Sequence, residues 1–144
     1  MKMIVVDETK FEARVEDLDP YTCEKRLEEL MPPMRICGFV YRIFDGKEFL
    51  IIHDDEFLYH GYNFTGICEN GQEILMGSLL ICATQDTQDD VVDDMGLRDL
   101  TDEEIDTILK AWKPVSAPLA GRYCKEVCPD CLFMMGSNAL HYDW

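Results

Sequence analysis

Apolar and polar positions alternate in a way that predicts two strands and a helix in the first third of the chain. Residues 3–6 are a short apolar run, and residues 11–16 alternate apolar with charged side chains, the period-two pattern of a half-buried strand. Apolar side chains then recur at helical spacing between Asp19-Pro20, which favours a helix start, and Pro32-Pro33, which favours a helix end. This apolar stripe consists of Cys23, Leu27, Leu30 and Met31.

The rest of the pattern predicts a hairpin, another strand and a second helix. Residues 36–44 and 47–53 are strand-like and flank Asp45-Gly46, a dipeptide suited to a tight hairpin turn. Residues 73–83 form a strongly apolar strand. Thr101 followed by Glu104 forms a capping box, which predicts a helix that starts there and ends at Pro114.

These elements together predict an α+β fold. We expect a meandering antiparallel β-sheet with two main helices packed on one face. We assign residues 1–113 to this α+β domain and residues 114–144 to a C-terminal appendage, made of a linker and a short cysteine-containing tail.

The chain shows the features of a cytoplasmic protein. Its N-terminal apolar run is too short for a secretory signal or a membrane span. Its seven cysteines are an odd number, whereas an exported disulfide framework more often uses an even one. We therefore expect reduced thiols and a location in the cytoplasm.

The net charge of the chain limits the classes of molecule that it is expected to bind. The chain has 29 acidic and 13 basic residues, a formal net charge of −16. This balance lacks the basic footprint of a nucleic-acid-binding protein and disfavours attraction to anionic lipid. It is compatible with a basic protein partner, a cation, or a purely solubilising role.

The acids concentrate in one segment, residues 84–106, which we call the acidic tract. It holds ten acids and one base, Arg98. Dense carboxylates can occupy a DNA-binding groove, so the tract is a candidate partner-binding surface. A solvated loop leading into a helix start, where acids are favoured, and a cation site without the residue order of an EF-hand are the alternatives. The candidate partner-binding residues are Asp86, Asp89, Asp90, Asp93, Asp94, Asp99, Asp102 and Glu103.

A cysteine trio near the C-terminus is the second constellation. Cys124, Cys128 and Cys131, with His141, have spacings that fit a structural zinc site, and metal binding would help to fold a tail with little core. Ordinary reduced cysteines are the competing interpretation. The trio also has the spacing of a radical-SAM cluster, but too few residues follow it for the barrel of those enzymes. The βαβ context of a thioredoxin-like motif is absent nearby.

Catalysis has weaker support. His53 and His60 flank Asp54 and Asp55, and a histidine beside carboxylates can act as a base or bind a metal. Such a cluster more often forms the polar end of a strand. We find no complete catalytic motif in the sequence.

The order of elements over residues 1–112 resembles a family of short proteins carried by phages and conjugative elements of gut-type bacteria, a domain of unknown function. The matching features are the N-terminal strand, the glycine-containing hairpin, Asn70-Gly71, the small-residue strand at 76–82 and the capped helix at 101–105. The resemblance implies no catalytic residue. It implies a mobile-element setting, in which small proteins are often anti-defence or regulatory.

Together these features predict a small acidic binding protein. We expect it to inhibit a host DNA-handling defence protein, such as a CRISPR nuclease or a restriction enzyme, through a DNA-mimicking surface. It would bind no nucleic acid and no membrane itself. The alternative is a zinc- or redox-linked regulator centred on the cysteine trio.

Overall fold

The computed structural model describes residues 1–8, 10, 12–44, 46–57, 65–67, 75, 77–84, 96–111, 113–115 and 133–136. Within them lie nine strands and two helices. In chain order these are β1 Lys2–Asp7, β2 Glu12–Asp17, α1 Glu24–Leu30, β3 Cys37–Phe44, β4 Lys47–Asp54, β5 Thr65–Ile67, β6 Leu79–Thr84, β7 Leu97–Arg98, α2 Asp102–Ala111, β8 Lys113–Val115 and β9 Phe133–Gly136. Neither helix in this described part is long and apolar enough to cross a membrane.

The main sheet is antiparallel, which agrees with the predicted α+β class, but it is not a meander. Its strand order is β2-β1-β6-β4-β3, and β7 also pairs with β6. The hairpins β1–β2 and β3–β4 therefore lie on either side of β6, which pairs antiparallel with both β1 and β4. Since β6 is buried along almost its whole length, it takes the centre of the sheet.

The prediction that both helices pack on one face is wrong, because the helices cover opposite faces. Ile4 and Val6 of β1 share a core with Ile108 of α2, whereas Met3 and Val5 share a second core with Leu27 of α1. Successive residues of a strand point to opposite faces, so β1 contributes to both cores. A sheet whose central strands are apolar on both faces needs other elements packed against both of those faces.

Most predicted elements are confirmed, with shifted bounds that have local causes. The first helix begins at Glu24 instead of near Pro20, because Asp19 accepts a hydrogen bond from the Tyr21 amide and so directs a turn ahead of the helix. Of the strand predicted at 73–83, the structure shows β6 from Leu79 onward, after Gly77 with its positive φ of 88°; residues 73, 74 and 76 lie outside the described residues. The predicted hairpin is present, and Gly46 has a φ of 75° at its turn.

A smaller sheet includes residues on both sides of the predicted domain boundary. β9 lies between β5, to which it is antiparallel, and β8, to which it is parallel. The predicted boundary between residues 113 and 114 falls inside β8. β9, which belongs to the C-terminal appendage, is thus paired with a strand from the first half of the chain.

Candidate functional site

Three of the predicted partner-binding acids lie at the start of α2. Asp99, Asp102 and Glu103 are all exposed to solvent. Asp99 follows β7, and the other two open the helix, where the N-terminal end of the dipole favours acidic side chains. We call these three residues the acidic surface.

The acidic surface is held against the start of the chain. The Asp99 carboxylate accepts a hydrogen bond of 2.8 Å from the Lys2 backbone amide. The Leu100 amide donates to the Lys2 carbonyl, and the Lys2 ammonium lies 4.0 Å from the Asp102 carboxylate. Both side chains of this last pair are exposed, so the pair contributes little to stability and leaves the Asp102 carboxylate open to a partner.

Glu104, the next acid along α2, has a different role because it is buried. Its carboxylate accepts two hydrogen bonds from the Arg98 guanidinium, at 2.7 and 2.8 Å, and one from the Thr101 amide. The Thr101 hydroxyl in turn accepts a bond from the Glu104 amide, which completes the predicted capping box. The Arg98 hydrogen bonds are the main cause that lowers the pKa of Glu104 to about 2. This carboxylate fixes the start of α2 and is not available to a partner.

The strands beside α2 bring the ends of the acid-rich segment together. Thr84, the last residue of β6, is the antiparallel neighbour of Leu97, the first residue of β7. The segment between them in the sequence, residues 85–96, therefore starts and ends at one place in the sheet, and Asp99 of the acidic surface directly follows β7. The other predicted partner-binding acids, Asp86, Asp89, Asp90, Asp93 and Asp94, belong to that segment and lie outside the described residues.

The predicted zinc ligands also lie outside the described residues: Cys124, Cys128, Cys131 and His141. Within the described part of the chain, no group of three or more histidine, cysteine or acidic side chains is placed to hold a metal ion. The zinc site stays a prediction.

The cysteines of the main sheet and of α1 have the environment of core residues. Cys23 and Cys82 are buried in the core under α1, and Cys37 packs against it. All three are free thiols. Burial raises the pKa of Cys37 to about 11 and that of Cys82 to about 12, so these thiols stay protonated and unreactive at neutral pH.

His53 is also buried, at the end of β4. Its Nδ1 lies 2.9 Å from the Asp54 backbone oxygen, and its ring packs edge-on against Phe57 with a centroid distance of 5.9 Å. Its Nε2 has no hydrogen-bond partner. The Asp54 carboxylate is turned to the Glu56 amide, from which it accepts a bond of 2.8 Å. The arrangement resembles the polar end of a strand more than an acid–base pair, and His60 lies outside the described residues.

An exposed aromatic surface on β3 was not predicted as a site. Phe39 and Tyr41 are 51% and 57% exposed, although they lie in the middle of an eight-residue strand. The strand itself was evident from the sequence. The position of β3 at the end of the sheet was not evident, because it depends on β6 pairing with the other side of β4.

Comparison with known proteins gives no match: no family model, no curated protein and no solved structure is similar to this chain. What the protein does is therefore inferred from the chemistry of its own residues.

Proposed function

We propose that this protein is an acidic binding protein that occupies a basic, nucleic-acid-binding surface of another protein. The acidic surface makes the first contacts, and the five acids that precede it in the sequence extend it: Asp86, Asp89, Asp90, Asp93 and Asp94. The partner is a DNA-handling host protein of the defence class, such as a CRISPR nuclease or a restriction enzyme. This choice of partner depends on the mobile-element setting, which is a prediction from the order of elements in the sequence.

One observation carries the proposal. The exposed carboxylates of Asp99, Asp102 and Glu103 come soon after β7 in the chain, the strand with which residues 85–96 return to the sheet. The sequence puts five more acids in that segment. A concentration of negative charge at one place on the surface matches what a basic groove selects in DNA.

The structural role of Glu104 supports the same interpretation. Its bonds to Arg98 and Thr101 hold the helix start firmly, so the neighbouring exposed acids are presented on a rigid element. Preorganised charge reduces the ordering cost of association. Charge complementarity would also accelerate encounter with a basic partner and make binding sensitive to salt.

A capture experiment with matched variants tests the proposal. The immobilised protein is exposed to bacterial lysate in low and in moderate salt, and bound proteins are identified by mass spectrometry. The test variant is D99N/D102N/E103Q, in which the D99N change keeps an oxygen acceptor for the Lys2 amide. The control variant, E24Q/E28Q/E48Q, removes the same number of charges at exposed positions elsewhere.

We expect the native protein to retain a basic nucleic-acid-binding protein that moderate salt elutes. The test variant should lose binding by about tenfold or more, and the control variant should keep it. The captured protein should also release a labelled DNA duplex when the native protein is added. Equal loss in both variants would show that only net charge matters, and unchanged binding by the test variant would contradict the proposal.

A further inference from the structure

β3 forms one end of the main sheet, and its exposed side chains are apolar. Within the described part of the chain, its one strand partner is β4. Phe39 and Tyr41 are more than half exposed on this strand, and Ile36, just before it, is 57% exposed. A long apolar edge strand is a ready template for pairing with another chain, and natural proteins usually protect such an edge with charge, proline or a bulge.

The backbone of β3 directs groups outward, beside the same aromatic residues, that no described strand pairs with. The Ile36 carbonyl accepts a hydrogen bond from the Asp55 amide, so Ile36 directs its backbone groups toward β4. Backbone direction alternates along a strand, which means that Phe39 and Tyr41 direct their amides and carbonyls away from the sheet. The Arg42 guanidinium donates a bond of 3.2 Å to the Tyr41 carbonyl, in agreement with that direction.

Two charged side chains near this edge lack ion-pair partners among the described residues. The Arg42 Nε is buried without a hydrogen-bond partner. The Asp55 carboxylate lies over Gly38, and its Oδ1 is 3.0 Å from the place where a Cβ of that glycine would be. Gly38 and Arg42 are four residues apart on one strand, about 13 Å, so Arg42 cannot easily reach Asp55 of its own chain.

We propose that two copies of this chain associate through antiparallel pairing of their β3 strands, with the two-fold axis at Val40. Phe39 of one copy then lies directly opposite the partner's Tyr41, which forms an aromatic cross-strand pair twice. Arg42 lies opposite the partner's Gly38 and therefore beside the partner's Asp55. Symmetry makes this ion pair twice as well.

The charges select this register and this occupant. With the axis at Val40, each Arg42 meets a carboxylate and not the other arginine, and residues 37–43 are all paired. A partner strand for this edge needs aromatic side chains and a guanidinium group on the same strand. The β3 strand of a second copy has both. The dimer packs the side chains of Phe39 and Tyr41 against each other across the new strand pair, and it pairs their outward backbone groups.

The oligomeric state tests the proposal, measured by light scattering after size exclusion over a range of protein concentrations. Moderate salt is used because it screens the repulsion between two chains of net charge −16. We expect the mass to rise with concentration from 16.7 kDa to twice that value. Y41K should raise the dimer dissociation constant about tenfold or more, since each substitution acts twice.

Matched variants make the test specific. Y21K replaces a tyrosine of similar exposure in the turn before α1, outside the strand, and it should leave the dimer unchanged. R42E and D55K should each weaken the dimer, and the double variant R42E/D55K should restore it by exchanging the charges. Thermal unfolding of each variant checks that the fold is intact.

A native protein that stays at 16.7 kDa at every concentration would overturn the proposal. Equal weakening by Y21K and Y41K, or a double variant no better than its singles, would overturn the β3 register. This inference is independent of the acidic surface, which lies at the start of α2, so either proposal can fail while the other stands.

Discussion

The two edges of the main sheet carry different kinds of side chain. At β2, Arg14 contacts Asp7, Glu12 and Glu16 at distances between 2.8 and 3.2 Å, and Arg26 of α1 binds Glu16 at 2.7 Å. At β3, the strand carries exposed aromatic side chains instead. The β2 edge is thus covered with charge and tied to a helix, whereas the β3 edge has no strand beyond it among the residues that the structure describes.

The difference between the two edges indicates where pairing with another strand is disfavoured and where it is permitted. A strand that approached β2 would have to accommodate several charged side chains already engaged with one another. A strand that approached β3 would cover apolar surface and pair free backbone groups. Both edges belong to the same sheet and present the same kind of backbone groups. The side chains, and not the backbone, therefore decide which edge pairs with another chain.

The largest expected effect on stability comes from a steric change at the β3 edge. A Cβ at Gly38 would lie 2.5 Å from His53 Cε1 and 2.7 Å from its Nε2. We expect G38A to lower the free energy of unfolding by about 1–3 kcal/mol, measured by urea denaturation. The double variant G38A/H53A should recover part of this loss, because the imidazole is gone; strictly additive losses would argue against the contact.

A smaller loss is expected when the charge network of β2 is opened. Glu16 accepts hydrogen bonds from both Arg14 and Arg26, and all three side chains are partly buried. E16A should cost about 1–2 kcal/mol in the free energy of unfolding, because both guanidinium groups lose an acceptor. E12A serves as the control, since the Glu12 side chain is more exposed and contacts Arg14 alone, and it should cost less. Equal costs would show that Glu16 has no special place in the network.

The two edges should also respond differently to acid. The Arg26 hydrogen bonds, with help from Arg14, lower the pKa of Glu16 in the folded protein. A lowered pKa means that the stabilisation is present above the ordinary glutamate value of about 4.5 and is lost as the pH falls through the folded value. The stability gap between the native protein and E16Q should therefore narrow below about pH 4.5. The difference in the free energy of unfolding between the native protein and G38A should persist below that pH, because its cause is steric. A difference between the native protein and E16Q that stays constant with pH would contradict the ion-pair explanation.

The smallest effect on stability is expected for the exposed side chains of β3. Replacing Phe39 or Tyr41 by lysine should change the free energy of unfolding of the monomer by less than about 0.5 kcal/mol, since neither side chain is in the core. Urea denaturation at low protein concentration measures this. A loss of several kcal/mol would mean that these aromatic residues support the fold and are not a free surface.

The sequence predicted most of the local structure, because local rules decide it. The Asp45-Gly46 hairpin and the Thr101–Glu104 capping box depend on residues close together in the chain, and both are present. The sequence also suggested which helix residues are apolar, and the stripe of α1 is buried as expected.

The arrangement of the elements could not be predicted with the same rules. The strand pairing of β6 joins residues far apart in the chain, and it decides that β3 becomes an edge. A signal for the opposite placement of the helices was available: the continuous apolar run at 79–83 is typical of a strand buried on both faces. The capping box separated Glu104 from the predicted site residue Glu103, but the burial of Glu104 could not be predicted, because it depends on the ion pair with Arg98.

Residue-resolved amide hydrogen exchange at low and at high protein concentration tests the contrast between the edges most directly. The outward amides of Phe39 and Tyr41 should become more protected as concentration rises, while Val40, which is bonded to β4, should be protected throughout. The outward amides of Val15 and Asp17 on β2 should not change. Exchange at Phe39 and Tyr41 that is independent of concentration, or protection that rises at β2 instead, would contradict the account.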